Sequence, residues 1–204
     1  MNTLFTIGHS DYPAGHLLSL LRRHGVAAVA DVRSSPYSQR SPQFNRENLK
    51  STLKSAGLIY VFLGRELGAR REEKECYIEG RADYLLIAKL PLFQEGLRRL
   101  QQGLTRMPLA LLCAEHDPLA CHRTILICRS LRDSCPDIQH IRRDGGLESN
   151  AKAELRLLKE LGFGDSNATP EIINQAYDLQ GRHIAYTNEC AHEETGIPQE
   201  YLRL

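Results

Sequence analysis

The stretch Leu109-Ala-Leu-Leu-Cys113-Ala-Glu115-His116-Asp117-Pro118-Leu-Ala-Cys121-His122-Arg123 decides how the rest of the chain is read. Its first five residues form an apolar run of the length of a buried strand. Its end reads as the start of a helix. Asp117 is a natural N-cap, and Pro118 suits the first helical position, where a missing N–H leaves no intrahelical bond unmade. Between strand and helix lie a thiol, a carboxylate, two imidazoles and a guanidinium. The spacing predicts that Cys113 ends the strand and that Cys121, His122 and Arg123 lie on the first helical turn. The unpaired N–H groups and partial positive charge of that turn favour an anion. Adjacent helical positions point about 100° apart, so on this reading Cys121 and His122 do not face one point.

Working outward, the same alternation recurs. Short apolar runs at 3–7, 26–32, 58–62, 107–113 and 138–141 read as strands. Helical spacing follows at 17–25, 47–57, 83–90, 93–103, 118–134, 149–161 and 169–179. Residues 37–44 form a polar, proline-punctuated loop, and 66–81, rich in charge and glycine, reads as a long loop of the functional kind. Strands that are apolar throughout and alternate with helices predict a mainly parallel sheet covered on both faces. The expectation is a three-layer α/β domain over 1–204, with about five strands and a helical, acidic C-terminal extension from about 147. In such sheets ligands bind outside the carboxyl ends of the strands. His9 and Ser10 end the first strand, Asp31 and Arg33 the second, and Cys113 and Glu115 the fourth, so four strands including the one before Arg65 deliver polar residues to one edge.

A hydrophobic share of 42% and a charged share of 25% are ordinary for a soluble protein, and no apolar run reaches membrane-spanning length. No basic leader precedes the first strand, and the six cysteines form no CxxC pair, which points to reduced thiols in the cytoplasm. Cys76, Cys128, Cys135 and Cys190 read as packing or simple exposure. The net charge of +1 is placed unevenly: eight basic residues stand against Glu47 and Glu66 between 33 and 71, and ten acidic residues stand against four basic ones between 147 and 200. The first region suits an anionic ligand, and the small total favours a small anion or a nucleic-acid end over duplex binding.

The candidate catalytic residues are Cys113 as nucleophile, Glu115 as general acid or base, and His122 and His9 as proton shuttles. Arg33, Arg123, Arg40 and Arg70 suit a phosphate or carboxylate because guanidinium offers paired donors, with Asp31 and Ser10 beside them. Asp31 equally suits an anchor for Arg33, and Cys113 and Cys121 equally suit buried core thiols. Tyr37, Phe44 and Tyr60 are candidates to stack a base. His9, Cys113, Glu115, Cys121 and His122 are all acceptable zinc or iron ligands, in a spacing that matches no familiar motif. No motif requires a cofactor, and no CxxxxxR phosphatase loop occurs.

Together, Thr6-Ile-Gly-His-Ser10, Asp31-Val-Arg-Ser-Ser-Pro36, Pro42-Gln-Phe44 and the Cys113–Arg123 segment make the chain resemble the family called domain of unknown function 488. The stretch Ala176-Tyr-Asp-Leu-Gln-Gly-Arg-His-Ile-Ala-Tyr186 resembles that family's C-terminal part. The family often carries Leu-Gly-Gly in the middle loop where Leu67-Gly68-Ala69 stands here. The resemblance implies the fold and the location of the site, and no reaction. The residues themselves point to a cytosolic enzyme acting on a phosphate-bearing or nucleotide-like small anion. The alternatives are a non-catalytic anion or nucleic-acid binding module and a metal-dependent hydrolase.

Overall fold

The computed structural model describes residues 2–135, 137–164 and 168–187. Its centre is a six-stranded sheet in the order β3-β2-β6-β1-β7-β8, with β1 at Leu4–Gly8, β2 at Ala28–Asp31, β3 at Ile59–Phe62, β6 at Leu109–Cys113, β7 at Ile138–Ile141 and β8 at Leu147–Ser149. The first five of these pair in parallel, and only β8 runs antiparallel, against β7. A two-stranded hairpin of β4 (Tyr77–Ile78) and β5 (Arg81–Ala82) stands apart. The sheet thus has one strand more than the five apolar runs announce. β8 carries Leu-Glu-Ser, is too short and polar to register as a run, and shares Ser149 with the cap of the next helix. The segment 66–81 is likewise not all loop, since it holds the end of α3 (Gly64–Leu67), a 3-10 turn at Lys74–Cys76 and β4.

Alternation along the strands splits the core into two layers. Phe5, Ile7, Val29, Ala110 and Leu112 face α1 (Ala14–Arg23) and α2 (Arg46–Ser55), which bury Leu17, Leu20, Leu21, Leu49 and Leu53 against them. Leu4, Ala28, Ala30, Leu109, Leu111 and Cys113 face the opposite layer. That layer contains α4 (Tyr84–Lys89), α5 (Pro91–Leu104), α6 (Arg129–Leu131), α7 (Asn150–Glu160) and α8 (Pro170–Ile184). Burial on both faces explains why these strands are apolar throughout rather than alternating.

The chain leaves β1 to reach β2 on the far side of β6, and leaves β6 to reach β7 on the far side of β1. The carboxyl ends of β1 and β6 therefore border the place where the chain paths diverge, which is where open α/β sheets bind ligands. Gly8 ends β1 beside Cys113, and the loop after β6 passes directly over it. A Cβ at Gly8 would stand 1.8 Å from the Glu115 carbonyl oxygen. Only glycine permits that approach.

A buried polar chain crosses the second layer. Thr6 Oγ1 lies 2.8 Å from His140 Nδ1, and His140 Nε2 lies 3.2 Å from Asn150 Oδ1. The amide oxygen only accepts, so Nε2 carries a proton, and burial disfavours a second one on Nδ1. Asn150 Nδ2 and Tyr177 Oη both donate to Glu154 Oε1.

Two outcomes follow from these contacts. Gly8→Ala is expected to destabilise the fold by about 2–4 kcal/mol, because backbone rather than a flexible side chain must give way; urea denaturation measures it. Burial, aided by the Arg123 charge, lowers the pKa of His140 to about 4. Unfolding releases this group to its ordinary value, so the unfolded state takes up the proton first and stability is lost as pH falls from 6.5 towards 4, by up to about 1.4 kcal/mol per pH unit. The stability of His140→Gln should fall less steeply across that window than the wild type's, and an equal slope would show that His140 is not held neutral.

Candidate functional site

The site is built on the loop that joins β6 to the following helix. Past Gly8 the β1–β6 ladder continues, with His9 N–H donating to Cys113 O and Ser10 N–H to Ala114 O, each at 2.9 Å. Asp117 accepts from Leu119 N–H at 2.9 Å and is gripped by Arg156, which also holds Glu148. The cap and proline produce only a single 3-10 turn, Pro118–Ala120. Cys121 is then extended (φ −140°, ψ 139°), His122 is the N-cap, and a π-helical segment, Arg123–Cys128, leads into α6. The expected helix start at Pro118 is thus corrected to Arg123, and Cys121 is not on a helix.

That correction changes what the side chains can do together. Because Cys121 is extended and His122 helical, the 100° divergence of neighbouring helical residues does not apply. Cys113 Sγ, Cys121 Sγ and His122 Nδ1 all lie within 4.8 Å of one another. Nδ1 is 3.7 Å from Cys113 Sγ and 3.9 Å from Cys121 Sγ. Glu115 Oε2 touches both thiols, at 2.9 Å from Cys113 Sγ and 3.0 Å from Cys121 Sγ. On the other side of the ring, His122 Nε2 lies 3.1 Å from the carbonyl of Val32, just past β2. A carbonyl only accepts, so Nε2 carries a proton and Nδ1 is the nitrogen turned to the sulfurs.

The charges follow the contacts. The hydrogen bond to Cys121, together with burial and the Glu115 charge, raises the Cys113 thiol well above its ordinary range. Burial opposes charge on Cys121, but the Cys113 hydrogen bond and the Arg123 and His122 cations outweigh it and hold that thiol well below its ordinary range. Burial and the Cys121 charge raise Glu115 above the usual carboxylate range. Burial lowers His122, and the bond to Cys121 more than reverses this.

Arg123 lies beneath the cluster, 1% exposed. It donates to Glu115 O at 2.7 Å, to His116 O at 3.2 Å and to Thr6 Oγ1 at 3.4 Å. Arg33 is also engaged. Nε and Nη2 clasp Asp31 at 2.9 and 2.7 Å, Nη2 donates to Phe44 O, and Nη1 donates to His9 Nε2 at 3.1 Å, so four of its five N–H donors are taken. Since Arg33 only donates, His9 accepts at Nε2 and uses Nδ1–H on Ser10 O. Burial and the Arg33 charge accordingly lower His9 to about 4.

Above the cluster opens a cavity of about 380 Å³, lined by Arg33, Arg70, Cys113, Glu115, Cys121 and His122 among others. These six of the residues singled out from sequence come together there. Asp31 and His9 stand behind Arg33, and Arg123 stands behind the loop. Ser10 sits in the left-handed region (φ 48°) with its hydroxyl on Asp11. Arg40 lies on the exposed 37–44 loop outside the cavity. Arg70 reaches the rim with its guanidinium 4.7 Å above the Tyr186 ring. Of the proposed stacking residues only Tyr37 lines the cavity; Phe44 packs on His9 and Tyr60 donates to Asp31. Cys190 lies outside the described residues.

Sequence reasoning missed Tyr84, Ile184 and Tyr186, which form the opposite wall. Tyr84 follows the cap Asp83 at the start of α4, and no periodicity marks it. Its ring packs beside Gly181. Ile184 and Tyr186 fall in the 176–186 stretch, whose only sequence signal was its resemblance to a family.

Among the described residues no helix is long and apolar enough to cross a membrane. No curated protein and no solved structure matches the chain. The family described as domain of unknown function DUF488 matches over residues 14–129, more than half the chain and including the whole cluster, and the protein belongs to that family.

Proposed function

We propose that the protein is a cytosolic enzyme that transforms a small anionic substrate, phosphate-bearing or nucleotide-like, in the cavity at the carboxyl edge of the sheet. The observation that carries this reading is the convergence of two thiols, a carboxylate and an imidazole on the floor of a cavity whose rim bears Arg70. A cluster of this kind is rare in a merely structural core, where buried polar groups are usually paired off one by one. Cys113, Glu115, Cys121 and His122 form the reactive centre. Arg70 holds the anion, and Arg33 offers its remaining N–H. His9 and Asp31 act by fixing Arg33, and Arg123 by fixing the loop. Tyr37 and Tyr186 flank the entrance and suit a planar group next to the anion. The five free cysteines among the described residues agree with a reducing compartment.

The reading is tested by calorimetric titration with orthophosphate and adenosine monophosphate. Arg70→Ala should weaken binding by roughly 1.5–3 kcal/mol, about ten- to a hundredfold, the size of one charged hydrogen bond. Arg40→Ala should leave it unchanged, because that side chain lies outside the cavity. Equal affinity of Arg70→Ala and wild type, or no affinity of the wild type for either anion, would overturn the assignment.

A further inference from the structure

We infer that Cys113, Cys121 and His122 bind one divalent metal ion of the zinc type, with the Glu115 carboxyl beside it. The inference deepens the reactive centre proposed above without resting on its substrate. Three independent features carry it.

The first is donor geometry. A tetrahedral ion with sulfur at about 2.3 Å and nitrogen or oxygen at about 2.0–2.1 Å places sulfur and nitrogen donors roughly 3.5 Å apart. The two sulfur-to-Nδ1 separations, 3.7 and 3.9 Å, are already close to this. Glu115 Oε2 lies against both sulfurs, at 2.9 and 3.0 Å, and places its carboxyl beside the three donors.

The second feature is orientation of the ligands from behind. His122 donates Nε2–H to Val32 O, the arrangement that fixes a ligating imidazole with its free nitrogen towards the ion. The backbone N–H of Arg123 points at Cys121 Sγ at 3.5 Å, which suits a thiolate ligand. His9, at the same edge, has both nitrogens engaged and is no ligand.

The third is charge. Arg123 is a buried cation whose side chain is paired with carbonyl and hydroxyl oxygens rather than with a carboxylate oxygen. An uncompensated buried charge is strongly unfavourable. Two thiolates on a divalent ion, with the adjacent Glu115 carboxylate, leave one net negative charge, which Arg123 neutralises. Two soft sulfurs with an imidazole and a carboxylate favour zinc over magnesium or calcium, which require oxygen shells. On binding, Cys113, Cys121 and Glu115 release the protons they carry to water and no electron is transferred.

The test uses the full chain, purified under reductant and without chelator from zinc-supplemented culture. Mass-spectrometric metal analysis should find one zinc per chain, and X-ray absorption should find two sulfur neighbours at about 2.3 Å. Cys113→Ser, Cys121→Ser and His122→Ala should each lose stoichiometric metal. Glu115→Gln, which keeps the shape and removes the charge, should weaken Zn²⁺ at least about tenfold. Should the ligand variants not fold, uptake of one Co²⁺ by the reduced wild type, with a sulfur-to-cobalt charge-transfer band, carries the test alone. A reduced wild type that takes up neither Zn²⁺ nor Co²⁺, an absorption spectrum without sulfur neighbours, or a folded Cys121→Ser with full metal content would overturn the inference. A chain that binds adenosine monophosphate through Arg70 but no metal refutes this inference alone, and one that holds zinc but no anion refutes only the substrate reading.

Discussion

The guanidinium of Arg123, buried under the loop that follows β6, is the contact on which the site depends. It draws the carbonyls of Glu115 and His116 towards β1 and ties them to Thr6 on that strand. Together with the Ser10 N–H bond to Ala114 O, it holds the loop against Gly8 and carries Glu115 over the two thiols. The same side chain continues inward. Thr6 accepts from Arg123 and donates to His140, whose opposite nitrogen reaches Asn150 and through it Glu154 and Tyr177. One buried cation thus joins the surface of the site to the helices that cover the second layer, and its charge contributes both to the low basicity of His140 and to charge on Cys121.

A second network sets the opposite wall. Asp31, wholly buried at the end of β2, takes both arms of Arg33 and the hydroxyl of Tyr60. His9 closes the arrangement from β1 while stacking on Phe44. Each member satisfies another, which is the condition for keeping a buried ion pair without a desolvation deficit. The outcome is a stiff wall rather than a reactive one. Val32, held between Asp31 and Arg33, is thereby fixed at the place where its carbonyl receives His122. Gly64 lets the chain pass close behind, since a Cβ there would stand 2.0 Å from the Arg33 carbonyl oxygen.

Much of this was legible in the sequence because hydrophobic runs and carboxyl-end polar residues obey strong constraints. A strand buried on both faces has to be apolar along its length, so 3–7, 26–32, 58–62, 107–113 and 138–141 announced themselves, and the polar residues that ended them had to share an edge. β8 was invisible because three polar-leaning residues on an outer strand face no such demand. The guanidinium count was misleading for a related reason. A sequence shows that Arg33 and Arg123 are near the edge, yet whether their donors meet a ligand or a carbonyl depends on loop paths that no local pattern encodes. Tyr84 and Tyr186 reach the cavity from α4 and from beyond α8, across about a hundred residues of chain, and only tertiary packing brings them there.

The least legible feature was also the most consequential. Asp117 and Pro118 are strong helix-start signals, and they do organise the chain locally, with Asp117 accepting from Leu119 N–H. They launch no more than one turn, and the break that follows lets Cys121 and His122 face the same point as Cys113. A regular helix from Pro118 would turn neighbouring side chains apart by about 100° and leave one of them pointing elsewhere. The chain instead makes one 3-10 turn, extends at Cys121, and starts again in a wide π turn at Arg123. Such π segments are rare and are frequently found at functional sites. Here the re-aimed residues are the adjacent thiol and imidazole, together with the arginine that supports them. The local departure from regular helix and the convergence of donors are therefore one fact: among the described residues, the stretch 118–128 that gives up helical regularity is the one that brings Cys121 and His122 together with Cys113, with the Glu115 carboxyl against both sulfurs.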